Sequence, residues 1–132
     1  NPDSNGSMGR IQAVDMSEQE FVWRHRQPSP IISSVLATAG GLVFVGDLNR
    51  GFKALDEETG EVLWESLLND VPSSTIATYS VNDKQYIALV VGQTGYHVND
   101  WTRMYGYFAE GEGMPINDSP KGGAAIWVFA LD

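Results

Sequence analysis

The sequence predicts an all-β fold of antiparallel, four-stranded propeller blades, of which the chain holds about two and a half. Short segments rich in β-branched and aromatic residues alternate with turns that contain Gly, Asn or Asp. One pattern recurs after 41 residues, close to the length of a propeller blade. The longest apolar run, residues 86–91, suits a buried strand and is far short of the roughly 20 residues that cross a bilayer.

The repeat consists of an Ala-x-Asp triplet and a tryptophan ten positions after the alanine. Its first copy has Ala13 and Trp23, and its second copy has Ala54 and Trp64. A third triplet, which begins at Ala130, closes the sequence. Units of this length, built from strand-like segments, are typical of β-propellers.

Residues 9–26 are predicted to supply the last two strands of a blade. Between these strands, residues 17–20 (Ser-Glu-Gln-Glu) match a capping pattern that would start a helix. The equivalent residues of the second copy, 58–61, contain Gly60 and suit a tight turn between strands. If both copies adopt one structure, both segments are hairpin turns, and the repeat favours that interpretation over the helix.

Residues 34–67 are predicted to form one full blade. Asp47 and Asn49 fall in its turn at 47–51, where a hairpin role is favoured over catalysis. The acidic residues 56–58 are interpreted as a solvated turn. The four strands, of which the last is outermost, are expected at 34–39, 41–46, 52–55 and 61–66.

Residues 73–132 are predicted to form the last blade, with strands at 75–81, 85–91 and 124–130. The periodicity fails in an irregular insertion, residues 93–122, and such insertions are usually functional or disordered. Its aromatic residues are expected to be exposed, and a lid, a docking surface and a packed excursion all remain open. These residues are Tyr96, Trp101, Tyr105, Tyr107 and Phe108.

Two and a half blades cannot close a ring, because a propeller normally has about 4 to 8 blades. Their unpaired strand edges would be exposed, which native proteins avoid. We therefore expect residues 1–132 to be the C-terminal part of one larger propeller domain. The remaining blades would lie in the same chain or in a companion chain.

The charge balance argues against a polyanionic partner. The chain has 17 acidic and 8 basic residues, a net charge of −9, and its basic residues are scattered. Nucleic acid and anionic membranes are therefore not expected as main partners. The absence of cysteine excludes thiol catalysis and Cys-based metal sites. No signal peptide is recognisable in these residues, although a mature secreted chain would look the same.

Several blocks of the sequence resemble the last blades of quinoprotein alcohol dehydrogenases, which use pyrroloquinoline quinone (PQQ). They occur in the order of that family and at nearly its spacing, and the first reads VLATAGGLVFVG. The resemblance implies an eight-bladed propeller held together by a tryptophan docking motif, in which each Trp stacks on the neighbouring blade. The blocks are 35–46, 52–56, 59–64, 78–88 and 125–131, and the motif positions are Ala13, Trp23, Ala54, Thr59, Gly60 and Trp64.

The resemblance also implies the chemistry of a periplasmic oxidoreductase. In that family an alcohol reduces PQQ beside a Ca²⁺ or lanthanide ion, and here the substrate class would be an alcohol, sugar or polyol. The family's catalytic Asp and metal ligands lie in earlier blades, so no catalytic or metal-binding residue is expected in this chain. The expected partners are the remaining blades and a cytochrome c or quinone that accepts electrons.

Two segments are expected to border PQQ. Family members commonly have Trp-Gly-Gly before the block at 35–46, and here the aligned residues are Ile32, Ser33 and Ser34. Many members have a Gly-rich turn with another Trp after the strand at 85–91. The residues expected to bind the cofactor from that turn are Gln93, Thr94 and Tyr96.

Both segments depart from the family pattern, and this leaves alternatives open. A divergent substrate class, or a propeller that has lost PQQ, fits the departures. A non-catalytic propeller that serves as a scaffold or interaction module is the second hypothesis. Of the two histidines, His25 is expected at a solvated strand edge, while a metal or proton-transfer role for His97 lacks an identified partner.

Overall fold

The computed structural model of the protein describes residues 4–92, 96–114, 116 and 123–131. In these residues, nine antiparallel strands form three sheets and one helix precedes the last strand. The elements are β1 (Gly9–Asp15), β2 (Glu20–Gln27), β3 (Leu36–Ala37), β4 (Leu42–Gly46), β5 (Gly51–Asp56), β6 (Val62–Leu67), β7 (Ala77–Val81), β8 (Lys84–Val91), α1 (Tyr96–Glu112) and β9 (Ala125–Leu131).

The first sheet is the hairpin β1–β2, which confirms the predicted turn and excludes a helix at residues 17–20. The Asp15 carboxylate accepts backbone N–H bonds from the second and third residues after it, at 2.7 and 3.1 Å. The Asp56 carboxylate accepts the equivalent bonds at 2.9 and 2.8 Å. Gln19 and Gly60 end the two turns with φ of 57° and 73°. The 41-residue repeat is therefore also a repeat of turn geometry.

The second sheet has the order β3-β4-β5-β6, and its four strands lie within residues 34–67. Its inner strand β3 spans only Leu36–Ala37, shorter than the predicted 34–39. The reason is that Ser34 leaves the strand ladder: its backbone N–H bonds to Ser74 O at 3.4 Å, and its hydroxyl bonds to the Ile76 N–H. Strands β4 and β5 supply the most buried side chains of this sheet.

The third sheet has the order β7-β8-β9, and its strands lie close to those expected at 75–81, 85–91 and 124–130. It packs on the second sheet through a shared core. In this core Phe52 of β5 lies 5.4 Å from Phe129 of β9, measured between ring centroids. Ile87 and Leu89 of β8 are also buried there.

Each repeat tryptophan joins its own sheet to the next one. The Trp23 indole N–H donates to Glu57 O at 2.7 Å. The Trp23 ring lies so close to Gly60 that a Cβ there would be 2.5 Å from it. Trp64 of β6 packs edge-on against Phe129 of the third sheet, with ring centroids 5.2 Å apart.

Helix α1 overturns the expectation of an irregular insertion for residues 96–112. Tyr105, expected to be exposed, is only 3% exposed, and Ala109 one turn later is fully buried. Trp101 and Tyr107 are exposed as expected, by 46% and 73%. None of the described residues forms a helix long and apolar enough to span a bilayer.

Candidate functional site

The loops at one end of the sheets meet in an apolar cluster beneath α1. Its buried members are Leu48 of the β4–β5 turn, Val71 of the β6–β7 connection, and Tyr105 and Ala109 of α1. Ile32, from the β2–β3 connection, packs against them. We call these five residues the loop-end cluster. The cluster matters because it gathers connections from all three sheets at one place.

The loop that carries Ile32 is fixed by its backbone. The N–H groups of Ile32 and Ser33 both donate to Gly46 O, at 3.1 and 3.3 Å. The Ser33 hydroxyl accepts from the Gly46 N–H at 2.6 Å and donates to Ser34 O at 2.7 Å. A Cβ at Gly46 would lie 2.5 Å from Pro72 and 3.3 Å from Ser33, so this approach requires glycine.

The Ser34 hydroxyl performs a similar task on the other side of the loop. It accepts from the Ile76 backbone N–H at 2.8 Å and so ties the loop to the connection before β7. Both predicted serine hydroxyls are thus bonded to backbone groups. These two hydroxyl groups bond to Gly46 of the second sheet and to Ile76 just before the third, so they fix the Ile32 loop between the two sheets.

The second predicted segment begins beside the same cluster. Gly92, which follows β8, donates its N–H to Val71 O at 2.9 Å and accepts from the Ser73 hydroxyl at 2.7 Å. Gln93 and Thr94 lie outside the described residues. Tyr96 starts α1, and only its backbone is described, as is also the case for His97. The described residues therefore bring the start of this segment to the cluster that holds Ile32.

A buried polar network next to the cluster was not predicted. Its centre is Asp47, which is 6% exposed. The Asp47 carboxylate accepts from the backbone N–H groups of Asn49 and Gly51 at 2.9 and 3.0 Å, which confirms its predicted turn role. It also accepts from the Gln27 side chain at 3.0 Å and lies 3.6 Å from the Lys53 ammonium.

Gln27 completes this network. Its amide oxygen accepts from Lys53 Nζ at 2.7 Å, and its amide nitrogen also donates to Ser29 O at 2.8 Å. Burial raises the pKa of Tyr105, and the nearby Asp47 carboxylate raises it further. A cavity of about 420 Å³ adjoins these side chains. The network holds a charged pair in place beneath α1.

His25 differs from its predicted solvated position. It lies opposite Ile11 in the β1–β2 register, and Ile11 packs against the core of the second sheet. Burial lowers the pKa of His25, and the positive charge of Lys53 lowers it further. Its buried Nε2 has no hydrogen-bond partner among the described residues. The expectation was wrong because the edge strand β2 faces another sheet.

A second cavity, of about 750 Å³, lies beside Ile32. Its wall combines Ile32 with Trp101 of α1 and with Arg10 and Arg26 of the first sheet. Within the described residues, no group of three or more His, Asp or Glu side chains could hold a metal ion. The described part of the site therefore offers apolar surface and guanidinium groups as its binding chemistry.

Several known proteins are similar to this chain in both sequence and fold. The quinoprotein alcohol dehydrogenase PedE of Pseudomonas putida is 32% identical over 94% of this chain, which spans 18% of PedE. The methanol dehydrogenase [cytochrome c] subunit 1 of Paracoccus denitrificans is 31% identical over 94% of this chain, which spans 20% of that protein. Among solved structures, a europium-containing methanol dehydrogenase is 25% identical, with a TM-score of 0.69 over 92% of this chain and 23% of that one.

The chain thus corresponds to about a fifth of the length of these relatives. Its antiparallel sheets match a fragment of their propeller. The model of the family described as "Glucose/ethanol/alcohol dehydrogenase, beta-propeller domain" matches residues 2–87. This chain therefore belongs to the PQQ β-propeller family of quinoprotein alcohol dehydrogenases.

Proposed function

We propose that the chain is the C-terminal portion of a PQQ-dependent dehydrogenase that oxidises an alcohol, sugar or polyol. In this role it supplies the last blades and part of the wall of the cofactor chamber. One observation carries the proposal: Ile32 packs in the loop-end cluster, and Gly92, 60 positions later in the sequence, donates its N–H to Val71 of the same cluster. Both segments were expected to border PQQ.

Each residue of the wall has a distinct proposed task. Ile32 presents an apolar side chain to one face of the quinone, and the adjoining cavity of about 750 Å³ is of small-molecule size. Ser33 and Ser34 hold the loop that positions Ile32. Gln93, Thr94 and Tyr96 are proposed to border the cofactor from the other segment.

The chemistry itself would come from groups held largely by other blades. When bound, PQQ supplies the two-electron oxidation, and the protein supplies orientation and electrostatics. A Ca²⁺ or lanthanide ion would be bound mainly by blades outside this chain. This chain's residues would exclude water from one side of the chamber and fix the orientation of the ring.

The proposed partners follow from the same assignment. The first is the rest of the propeller, in the same chain or in a companion chain. The second is an electron acceptor, a cytochrome c or a quinone; the names of four relatives include cytochrome c. The periplasm is the proposed location.

The test uses the full native protein, supplied with PQQ and either Ca²⁺ or a lanthanide. We expect saturable PQQ binding and dye-linked oxidation of alcohols. Ile32→Asn should weaken PQQ binding, because it places a polar group against the ring. Met16→Asn is the control, since Met16 is 83% exposed in the turn at the far end of β1. Absence of PQQ binding with every metal would contradict the proposal and favour a non-catalytic scaffold.

A further inference from the structure

Lys53 of β5 stands between two carboxylates. On one side, its ammonium lies 3.6 Å from the buried Asp47 carboxylate and donates to the Gln27 amide oxygen at 2.7 Å. On the other side lies Glu65 of β6, the direct partner of Lys53 in the β5–β6 register, so both side chains emerge on the same face. Glu65 is exposed and forms no ion pair with Lys53 within 4.0 Å. Lys53 thus occupies the buried carboxylate while a second, exposed one lies on its own face.

The cavity of about 420 Å³ gives the Lys53 side chain room to move between these carboxylates. Lys53, Asp47, Gln27 and Glu65 all line it, so the ammonium can change partners without crossing the packed core. Lysine carries its charge on a flexible aliphatic stem, which suits such a movement. Two discrete positions for one charged group are the kind of element on which a conformational switch is built.

His25 of β2 is the group placed to operate this switch. Its ring lies on the face of β2 that packs on the second sheet, opposite Ile11. Its buried Nε2 has no hydrogen-bond partner among the described residues. Burial and the positive charge of Lys53 lower the pKa of His25, and they outweigh the Gln27 side chain, which raises it. A proton taken up by His25 therefore places a second positive charge beside Lys53 in a partly buried interface.

The charged and titratable groups around this interface determine where Lys53 goes. Asp47 comes from the β4–β5 turn, Glu65 from β6 and Tyr105 from α1, and all three line the same cavity as Lys53. Repulsion between like charges is stronger in a buried position than beside water. Protonation of His25 therefore favours the position of the Lys53 ammonium at the exposed Glu65 over its position at the buried Asp47.

The β4–β5 turn connects Asp47 to α1. Leu48 of this turn packs with Tyr105 of α1 in the loop-end cluster, and the Tyr105 hydroxyl interacts with the Ser29 side chain. When Lys53 leaves, the Asp47 carboxylate remains buried without its countercharge, which is unfavourable. Hydration of Asp47 relieves this cost, but it requires the turn to open. The contact between Leu48 and Tyr105 is then weakened.

We propose that protonation of His25 moves the Lys53 ammonium from Asp47 to Glu65 and thereby loosens α1 from the loop-end cluster. The inference goes beyond the proposed function and does not require PQQ. In this account α1 is anchored near neutral pH and is released in acid. Because Trp101 of α1 forms part of the wall of the cavity beside Ile32, acid also opens that wall.

The first test measures hydrogen exchange of α1, β4 and β5 in the full native protein without PQQ, at about pH 7.5 and about pH 5. Protection factors are compared, because they remove the intrinsic pH dependence of exchange. We expect acid to lower the protection of α1 by roughly fivefold or more, in the range typical of coupling between sites. Protection of β4 and β5 should fall less, because α1 opens locally. An equal loss in all three elements would overturn the inference.

The two histidines of the sequence supply a matched pair of variants. His25→Asn should abolish the acid response of α1, because the switch loses its titrating group. His97→Asn should leave the response unchanged, although His97 belongs to α1 itself. Circular dichroism on each variant verifies folding. An acid response that persists in His25→Asn, or that disappears in His97→Asn, would refute the role of His25.

A second pair of variants tests the movement of Lys53. Glu65→Gln removes the exposed carboxylate that receives the ammonium, so it should reduce the acid response of α1. Glu58→Gln is the control, since Glu58 is an exposed carboxylate in the turn after β5 and does not line the cavity. Each variant loses one negative charge, so the comparison separates the local contact from the overall charge. Equal acid responses in the two variants would disprove the transfer of Lys53 to Glu65 and overturn the inference.

Discussion

At Gly60, the backbone and a neighbouring side chain both require the absence of a Cβ. Its φ is 73°, and a Cβ would lie 2.5 Å from the Trp23 ring. Gly41 has a similar φ of 79°, but a Cβ there would meet nothing within 4 Å. Alanine substitutions at Gly41 and Gly60 therefore separate the cost of backbone strain from the cost of displacing Trp23.

We expect Gly41→Ala to lower the free energy of unfolding by about 1 kcal/mol, the cost of the left-handed conformation. Gly60→Ala should lower it by a further 1–3 kcal/mol or so, because Trp23 must also move. Urea denaturation measures both losses. Equal losses in the two variants would show that the contact between Trp23 and Gly60 contributes no stability.

His25 gives the protein a stability that depends on pH. Its pKa in the folded protein is lowered from 6.5 by burial and by Lys53, so below pH 6.5 the unfolded chain binds the proton more readily. The contribution of His25 to the free energy of unfolding is complete above pH 6.5, and it is lost as the pH falls through the pKa of His25 in the folded protein. Urea denaturation at about pH 7.5 and about pH 5 should show lower stability in acid. His25→Asn should flatten this dependence, and an unchanged slope would refute the role of His25.

At this scale, the sequence predicts local contacts and misses distant ones. The turn roles of Asp47 and Asp56 follow from residues two to four positions away. The bonds of Gln27 to Asp47 and to Lys53 join residues 20 and 26 positions apart. No spacing in the chain indicates that such residues meet, so the buried network could not be predicted.

Helix α1 is held to the loops by one face. Tyr105 is 3% exposed in the loop-end cluster, whereas Tyr107, two positions later, is 73% exposed. We expect Tyr105→Ala to release α1 locally, because a large buried side chain is lost and a cavity remains. Hydrogen exchange of α1 amides should accelerate while β4 and β5 remain protected.

Tyr107→Ala is the control, and it should leave exchange in α1 nearly unchanged. If both variants accelerated exchange equally, the anchoring of α1 by Tyr105 would be disproved. Accelerated exchange across all three sheets would instead show that α1 is part of the global folding unit.

The strands were predictable and the helix was not, for a physical reason. Alternating β-branched and aromatic residues between Gly- or Asn-containing turns identify strands from local sequence alone. In α1, Gly106 and Gly111 lower helix propensity and conceal the apolar spacing of Val98, Tyr105 and Ala109. That spacing of seven and four residues was the available signal for a helix.

On the scale of the whole molecule, the outer sheets expose apolar surface. Ile126 and Val128 of β9 are 72% and 50% exposed, and Phe21 and Val22 of β2 are 60% and 57% exposed. Core-like side chains at strand edges indicate a surface that other elements cover. This agrees with the proposal that further blades complete the propeller.

If the rest of the propeller supplies a fourth strand to this last sheet, β9 of the full native protein pairs on both of its edges. Its alternate amides that do not bond to β8 should then exchange as slowly as the amides of β8. Hydrogen exchange resolved by residue tests this expectation. Fast exchange at every second amide of β9 would reveal a free edge and contradict the closed propeller.

The most direct test of the central claim is an equilibrium titration of the full native protein with PQQ, in the presence of Ca²⁺ or a lanthanide, followed by visible absorbance. We expect saturable binding of one PQQ per complete propeller, weakened by Ile32→Asn and not by Met16→Asn. Absence of PQQ binding under every metal condition, or PQQ binding that Ile32→Asn leaves unchanged, would contradict the proposed function.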